Sequence, residues 1–208
     1  MHEITLTING QKITAPLNTT ILDAAKLINV KIPVLCDFPG LKKRAVCRIC
    51  TVEVNGKSKL VPACSNKIEE GMNVVTFNER IFRVRKTILE LILMSHGQNC
   101  LFCVKNTKCE FQSLIAEYNC CEISKIPIMK KTNVPLVEKN IARDLDKCIK
   151  CLRCTEVCEK EKIMALGTSH RSFNLKIDTP YNQSLEQSKC NFCLECTKVC
   201  PCGAIYEV

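Results

Sequence analysis

Eighteen of the 208 residues are cysteine, and their spacing carries more information than their number. Cys36, Cys47, Cys50 and Cys64 form a first group, and Cys100, Cys103 and Cys109 a second. Cys120 and Cys121 follow as a pair. Two quartets come next, Cys148, Cys151, Cys154, Cys158 and Cys190, Cys193, Cys196, Cys200, and Cys202 stands last. Both quartets obey one rule, C-x2-C-x2-C-x3-C, with an offset of 42 residues. Aligning Asp146–Cys158 with Ser188–Cys200 gives 8 identities in 13 positions, four of them not cysteine. That similarity reads as a duplicated structural unit.

Thiolates at i, i+3 and i+6 on a loop can wrap three corners of one iron–sulfur cubane. The fourth cysteine opens a helix that points away, and therefore ligates the other cluster, as in two-cluster bacterial ferredoxins. The spacing assigns Cys148, Cys151, Cys154 and Cys200 to one 4Fe-4S cluster. Cys190, Cys193, Cys196 and Cys158 fall to the other, and Pro201 completes the C-P ending of the bacterial pattern. The alternatives are zinc or disulfides. A tetrahedral zinc usually takes two C-x2-C knuckles from separate turns, so a third and fourth cysteine so close behind one knuckle are redundant for it.

Cys36, Cys47, Cys50 and Cys64 give C-x10-C-x2-C-x13-C, a stretched relative of the plant-type spacing that holds a 2Fe-2S rhomb. Zinc is again the alternative. Around this group Ile4, Leu6 and Ile8 alternate with threonines before Asn9-Gly10, which predicts a strand and a tight turn. Thr20 to Asp23 is a capping-box variant that opens a short helix, ILDAAKLIN. Thr51–Val54 alternates again before Asn55-Gly56. Such a set predicts a small mixed sheet of β-grasp type. The second group, C-x2-C-x5-C, is one ligand short. His96 lies four residues before Cys100, at the end of a helical stretch from Glu79 to Ser95, and Gly97 lets the chain turn. A neutral imidazole can replace thiolate on iron, so His96, Cys100, Cys103 and Cys109 are the expected ligands of a third 4Fe-4S cluster. Cys120 or Cys121 as fourth ligand is the alternative. With Cys202, these two are left without an assigned role.

No catalytic residue and no organic-cofactor site is visible. No two of the seven glycines lie within six residues of each other, so there is neither a dinucleotide turn nor a P-loop. The formal charge of +9 raises nucleic acid as a partner, but few aromatics accompany the basic runs. Three all-cysteine clusters at about −2 and one His-ligated cluster at about −1 would bring the oxidised holo charge to about +2. Lys and Arg therefore read as compensation for cluster charge. With 46% hydrophobic residues the chain is not disordered. It begins with no secretory leader and holds no long apolar run, so a soluble, cytoplasmic protein in which disulfides rarely persist is expected.

The order of these motifs resembles the N-terminal module of the large iron–sulfur subunit of NADH:quinone oxidoreductase. It is similar to the module that opens iron-only hydrogenases and NAD-linked formate dehydrogenases, and to the diaphorase small subunit of NAD-reducing hydrogenases. The resemblance rests on His96 to Cys109-Glu110, on Arg143-Asp144 and Cys148 to Cys158 with Ala165-Leu166-Gly167, and on Leu185-Glu186 to Pro201 with Gly203-Ala204. The family often has glycine after the second cysteine of each cluster loop, where this chain has Leu152 and Leu194. No hydrogen-activating or molybdopterin-type domain follows before Val208, so the short diaphorase-type subunit is the best likeness.

The reading is an α+β chain of three domains. A β-grasp 2Fe-2S domain spans 1–78, a small helical His-ligated 4Fe-4S domain 79–121, and a duplicated two-cluster ferredoxin domain 122–208. The expected function is electron transfer between an FMN- and NAD(P)H-binding flavoprotein subunit and a hydrogenase or formate dehydrogenase, with no nucleic acid and no membrane insertion. A free-standing carrier is the alternative. A zinc-organised module and a redox switch at Cys120-Cys121 are further ones.

Overall fold

The computed structural model describes residues 3–97, 99–120 and 134–208. Cys121 and the expected boundary at 122 lie outside them. The chain is mixed α/β and divides into two compact units, one of residues 1–37 with 43–89, the other of 38–42 with 90–208.

In the first unit, β1 (Glu3–Ile8) and β2 (Gln11–Pro16) pair antiparallel in the register Ile8↔Gln11. Both Asn9 and Gly10 have positive φ (49° and 83°), as the two-residue turn of a right-twisted hairpin demands. The Asn9 amide also exchanges two 2.8 Å hydrogen bonds with Thr76. Period-two alternation turns Leu6, Ile8, Ile13 and Ala15 to one face. That face joins Ile21, Leu22, Ala24 and Ala25 of helix α1 (Ile21–Leu27) in one core. Thr20 caps α1 by accepting from the Asp23 N–H. The helix stops two residues short of the sequence expectation, because Asn29 turns to φ 58°. Strands β3 (Thr51–Val54), β4 (Val61–Pro62) and β5 (Asn73–Val75) complete a five-stranded sheet of order β2-β1-β5-β3-β4, with β1 and β5 parallel.

Helix α2 (Glu79–Met94) carries the chain from the first unit into the second. There a 3₁₀ turn at Cys100–Phe102 precedes α3 (Glu110–Glu117). Strands β6 (Leu136–Glu138) and β7 (Ile141–Arg143) lead into the first cysteine quartet and helix α4 (Arg153–Lys160). The hairpin of β8 (Gly167–Ser169) and β9 (Lys176–Asp178) separates it from the second quartet, helix α5 (Glu195–Val199) and β10 (Ile205–Glu207). Strand β7 lies between β10 and β6, antiparallel to both. One core cluster of this unit contains sulfur. Cys158 and Cys196 sit in it beside Ile141, Val157, Leu166, Leu185, Val199 and Ile205.

Candidate metal centres

The loop from α1 to β3 and the turn after β4 carry the first group. Cys36, Cys50 and Cys64 are buried and Cys47 half-buried. Their thiols form one chain of contacts, Cys47 to Cys36 to Cys64 to Cys50. Cys36 is held well below the usual thiol range by Cys47 first and Cys64 second, against its burial, with the N–H groups of Cys47 and Val46 adding to the effect. Cys47 is correspondingly pushed up, by Cys36 and by burial. Ala45 and Arg48 adopt left-handed φ of 50° and 59°, which bends the loop so that it presents its N–H groups to sulfur.

His96, Cys100, Cys103 and Cys109 line one cavity in the second unit, together with Leu93, Phe111, Ile115 and Gly203. The cavity measures about 50 Å³, where one ordered water needs about 10–15 Å³. His96 is only 6% exposed, and its ring meets Phe111 edge-on at 5.0 Å. Gly97 turns the chain after α2 by donating its N–H to the Asp146 carbonyl at 2.8 Å. Cys109 caps α3, accepting from the Gln112 N–H at 3.4 Å, while burial pushes its thiol up. Cys120 does not line this cavity; its thiol points to the Tyr118 carbonyl at 3.9 Å.

The quartets of the repeat line two further cavities, and each cavity draws from both halves. Cys148, Cys151, Cys154 and Cys200 share one, together with Cys202. Cys190, Cys193, Cys196 and Cys158 share the other. The two cysteine loops have the same backbone. Lys150 and Phe192 are left-handed (φ 57° and 55°), and each donates its N–H at 3.4 Å to the sulfur two residues back, Cys148 or Cys190. Leu152 and Leu194 are also left-handed (φ 67° and 64°) and start α4 and α5. Burial pushes the Cys151 and Cys196 thiols up to about 12, and Cys154 well up. Cys200 moves the other way, down to about 6. The Cys202 thiol beside it is the main cause, opposed by burial and aided by the N–H groups of Cys202, Ile205 and Ala204.

These donor sets fit iron–sulfur cages. Thiolates gathered at one site, several of them buried, repel one another, so they need cationic metal at the centre. The N–H groups aimed at sulfur form the concave nests that accept an anionic cluster. Among the described residues no three His, Cys, Asp or Glu side chains converge as a single ion would require; a cage of several irons makes no such demand. No described cysteine is in a disulfide.

Several supporting residues escape a reading of the sequence. A Cβ on Gly203 would overlap the Cys103 sulfur, so glycine here leaves the thiol free to keep this orientation. Arg153, next to Cys154 and 2% exposed, makes a two-pronged bond to Glu110 with both N···O distances at 2.7 Å, and Glu110 follows Cys109. The pair ties a ligand loop of the repeat to the His96 site. The Glu110 N–H, moreover, donates to the Pro201 carbonyl at 2.9 Å.

Comparison with known proteins covers most of the chain. Residues 1–79 match a 2Fe-2S iron–sulfur cluster binding domain, 85–123 the NADH-ubiquinone oxidoreductase-G iron–sulfur binding region, and 147–204 a 4Fe-4S dicluster domain. The whole chain aligns at 35% identity with 36% of the NADP-reducing hydrogenase subunit HndD of Solidesulfovibrio fructosivorans. At 32% identity, 84% of it aligns with 21% of a G-type subunit of the NADH-quinone oxidoreductase of Rhizobium meliloti. It therefore spans about a third of the first relative and a fifth of the second. A crystal structure of NAD+-reducing [NiFe]-hydrogenase in the H2-reduced state contains a chain that superposes with a TM-score of 0.89 at 25% identity, over 98% of this chain and 87% of that one. With the three matched regions in the same order as its cysteine groups, the chain is an iron–sulfur protein homologous to subunits of NAD(P)-reducing hydrogenases and to the G-type subunits of NADH-quinone oxidoreductases.

Proposed function

We propose that the chain is a four-cluster electron-transfer subunit. It passes electrons between a flavoprotein subunit that binds FMN and NAD(P)H and a terminal hydrogenase or formate dehydrogenase, in the cytoplasm. One observation carries this reading. The fifteen cysteines and one histidine singled out by spacing fall into four groups of four, three around separate cavities and one in a single chain of thiol contacts. We assign a 2Fe-2S cluster to Cys36, Cys47, Cys50 and Cys64, and 4Fe-4S clusters to the other three groups. The three-domain division at 1–78, 79–121 and 122–208 follows from the same assignment.

Bound clusters supply one-electron redox chemistry; the protein supplies position, charge balance and dryness. Cysteine sulfurs anchor the irons, and the Lys150 and Phe192 N–H groups favour the extra negative charge of the reduced state at Cys148 and Cys190. His96 contributes a neutral donor where a fourth cysteine would contribute an anion, which raises the potential of that site relative to its all-cysteine neighbours. Among the described residues no helix is long and apolar enough to cross a membrane.

The test is anaerobic reconstitution followed by metal analysis and electron paramagnetic resonance. About 14 iron atoms per chain and signals from four centres on stepwise reduction are expected. A colourless folded chain holding zinc would overturn the reading.

A further inference from the structure

The cavity of Cys148, Cys151, Cys154 and Cys200 is lined by five cysteines, not four. The fifth, Cys202, is 1% exposed, and its thiol donates to the Lys147 carbonyl at 3.1 Å, one residue from Cys148. It also touches the Cys200 thiol, whose sulfur in turn lies 2.9 Å from the Cys202 carbonyl oxygen. The other half of the repeat has no counterpart: Lys160 stands at the equivalent position, and only four cysteines line that cavity. So a spare thiol is built into one cluster site and is missing from its twin.

We propose that Cys202 is a reserve ligand, able to take over from Cys200 as the fourth thiolate of the cluster held by Cys148, Cys151 and Cys154. The inference rests on the cluster assignment above. The exchange needs no oxidant. One iron–sulfur bond to Cys200 breaks, one to Cys202 forms, and the proton leaving the Cys202 thiol is taken up by the departing Cys200 thiolate. Both thiols belong to one short segment, Cys200-Pro201-Cys202, so a local shift of that segment brings the second sulfur to the iron that the first has left. A site with this property keeps its fourth iron when the ordinary ligand is lost, whereas the twin site opens to a three-iron cluster.

Four full-length variants, purified anaerobically and then briefly oxidised with one equivalent of ferricyanide per cluster, test this by iron content and by the resonance signal of an oxidised three-iron cluster. Cys200→Ala should keep the wild-type iron content and show no three-iron signal. The double variant Cys200→Ala/Cys202→Ala, and Cys158→Ala in the twin site, should each lose one iron per chain and gain the signal. Cys200→Ala behaving like the double variant would overturn the proposal. Should Cys200→Ala fail to fold, Cys202→Ala decides, since it keeps every ordinary ligand: under ferricyanide it should convert to the three-iron form several-fold faster than wild type, and equal rates would overturn the proposal. A wild-type chain that takes up no iron would remove the cluster assignment itself, an outcome distinct from a loaded wild type whose variants are alike.

Discussion

Single side chains decide whether a cavity accepts a cage. At Gly203 the missing Cβ leaves the space that the Cys103 sulfur occupies. An empty site could tolerate alanine, because a free thiol rotates away; a ligating thiol cannot. Gly203→Ala should therefore fold yet lose the His96-site cluster, about four of about 14 irons, while the signals of the other centres persist. An unchanged iron content would show that Cys103 is not fixed by metal. His96 is tested in the opposite sense. His96→Cys adds an anion beside the cluster and should lower its midpoint potential in a redox titration; no downward shift would remove histidine from the ligand set. The ligand thiols themselves are legible in the sequence, since iron–sulfur loops encode their geometry in local spacing. Gly203 is not. Its partner lies 100 positions away, and a lone glycine in a single sequence does not say which sulfur it must admit.

At the level of elements, the two cysteine loops depend on left-handed residues where the side chains argue against them. Leu152 and Leu194 sit at φ 67° and 64°, a conformation that costs a residue with a Cβ about 1–2 kcal/mol and glycine almost nothing. Leucine stands here where the resemblance led glycine to be expected, and the backbone is left-handed at both positions with a Cβ present. Leu152 and Leu194 also pack against the core of their unit, which offsets part of the strain. Comparing glycine with alanine isolates that strain, since neither retains the packing. Leu152→Gly should be more stable than Leu152→Ala by about 1 kcal/mol, or about 2–4 °C in the thermal loss of cluster absorbance. The hydrophobic alternation of β1 and the cap at Thr20 are legible in the sequence because both are local, period-driven signals. The bond between Arg153 and Glu110 is not, because a surface-looking charge pair becomes a tie with one buried partner only once α3 and α4 are placed. Glu110→Gln removes the carboxylate that meets both prongs of the Arg153 guanidinium, itself 2% exposed. Iron release to a chelator should then be faster from both adjoining cluster sites than in wild type, and an unchanged rate would deny the pair its linking role.

Across the whole molecule, the two units differ in what holds them together. In the first, a five-stranded sheet and α1 enclose a core of 18 buried residues, only two of which, Cys50 and Cys64, are proposed ligands. Thiols left there without iron still pack as small hydrophobes. In the second unit one core cluster has 10 buried residues among the described ones, two of them the ligands Cys158 and Cys196, and Cys148, Cys154, Cys190 and Cys200 lean on it from the sides. Its strands are three residues each, too short to stand without the packing around them. Where metal ligands sit in a core and lean on it from the sides, binding free energy contributes to folding free energy. Chelating the iron from the intact chain under reducing conditions should therefore unfold the second unit first. Limited proteolysis of the chelated chain is expected to leave an N-terminal fragment ending near Leu89, where the first unit stops, while the loaded chain resists cleavage throughout. Equal digestion of both units after chelation, or no gain in cleavage, would mean that the second unit is held by its side chains alone and that the cages are passengers in it.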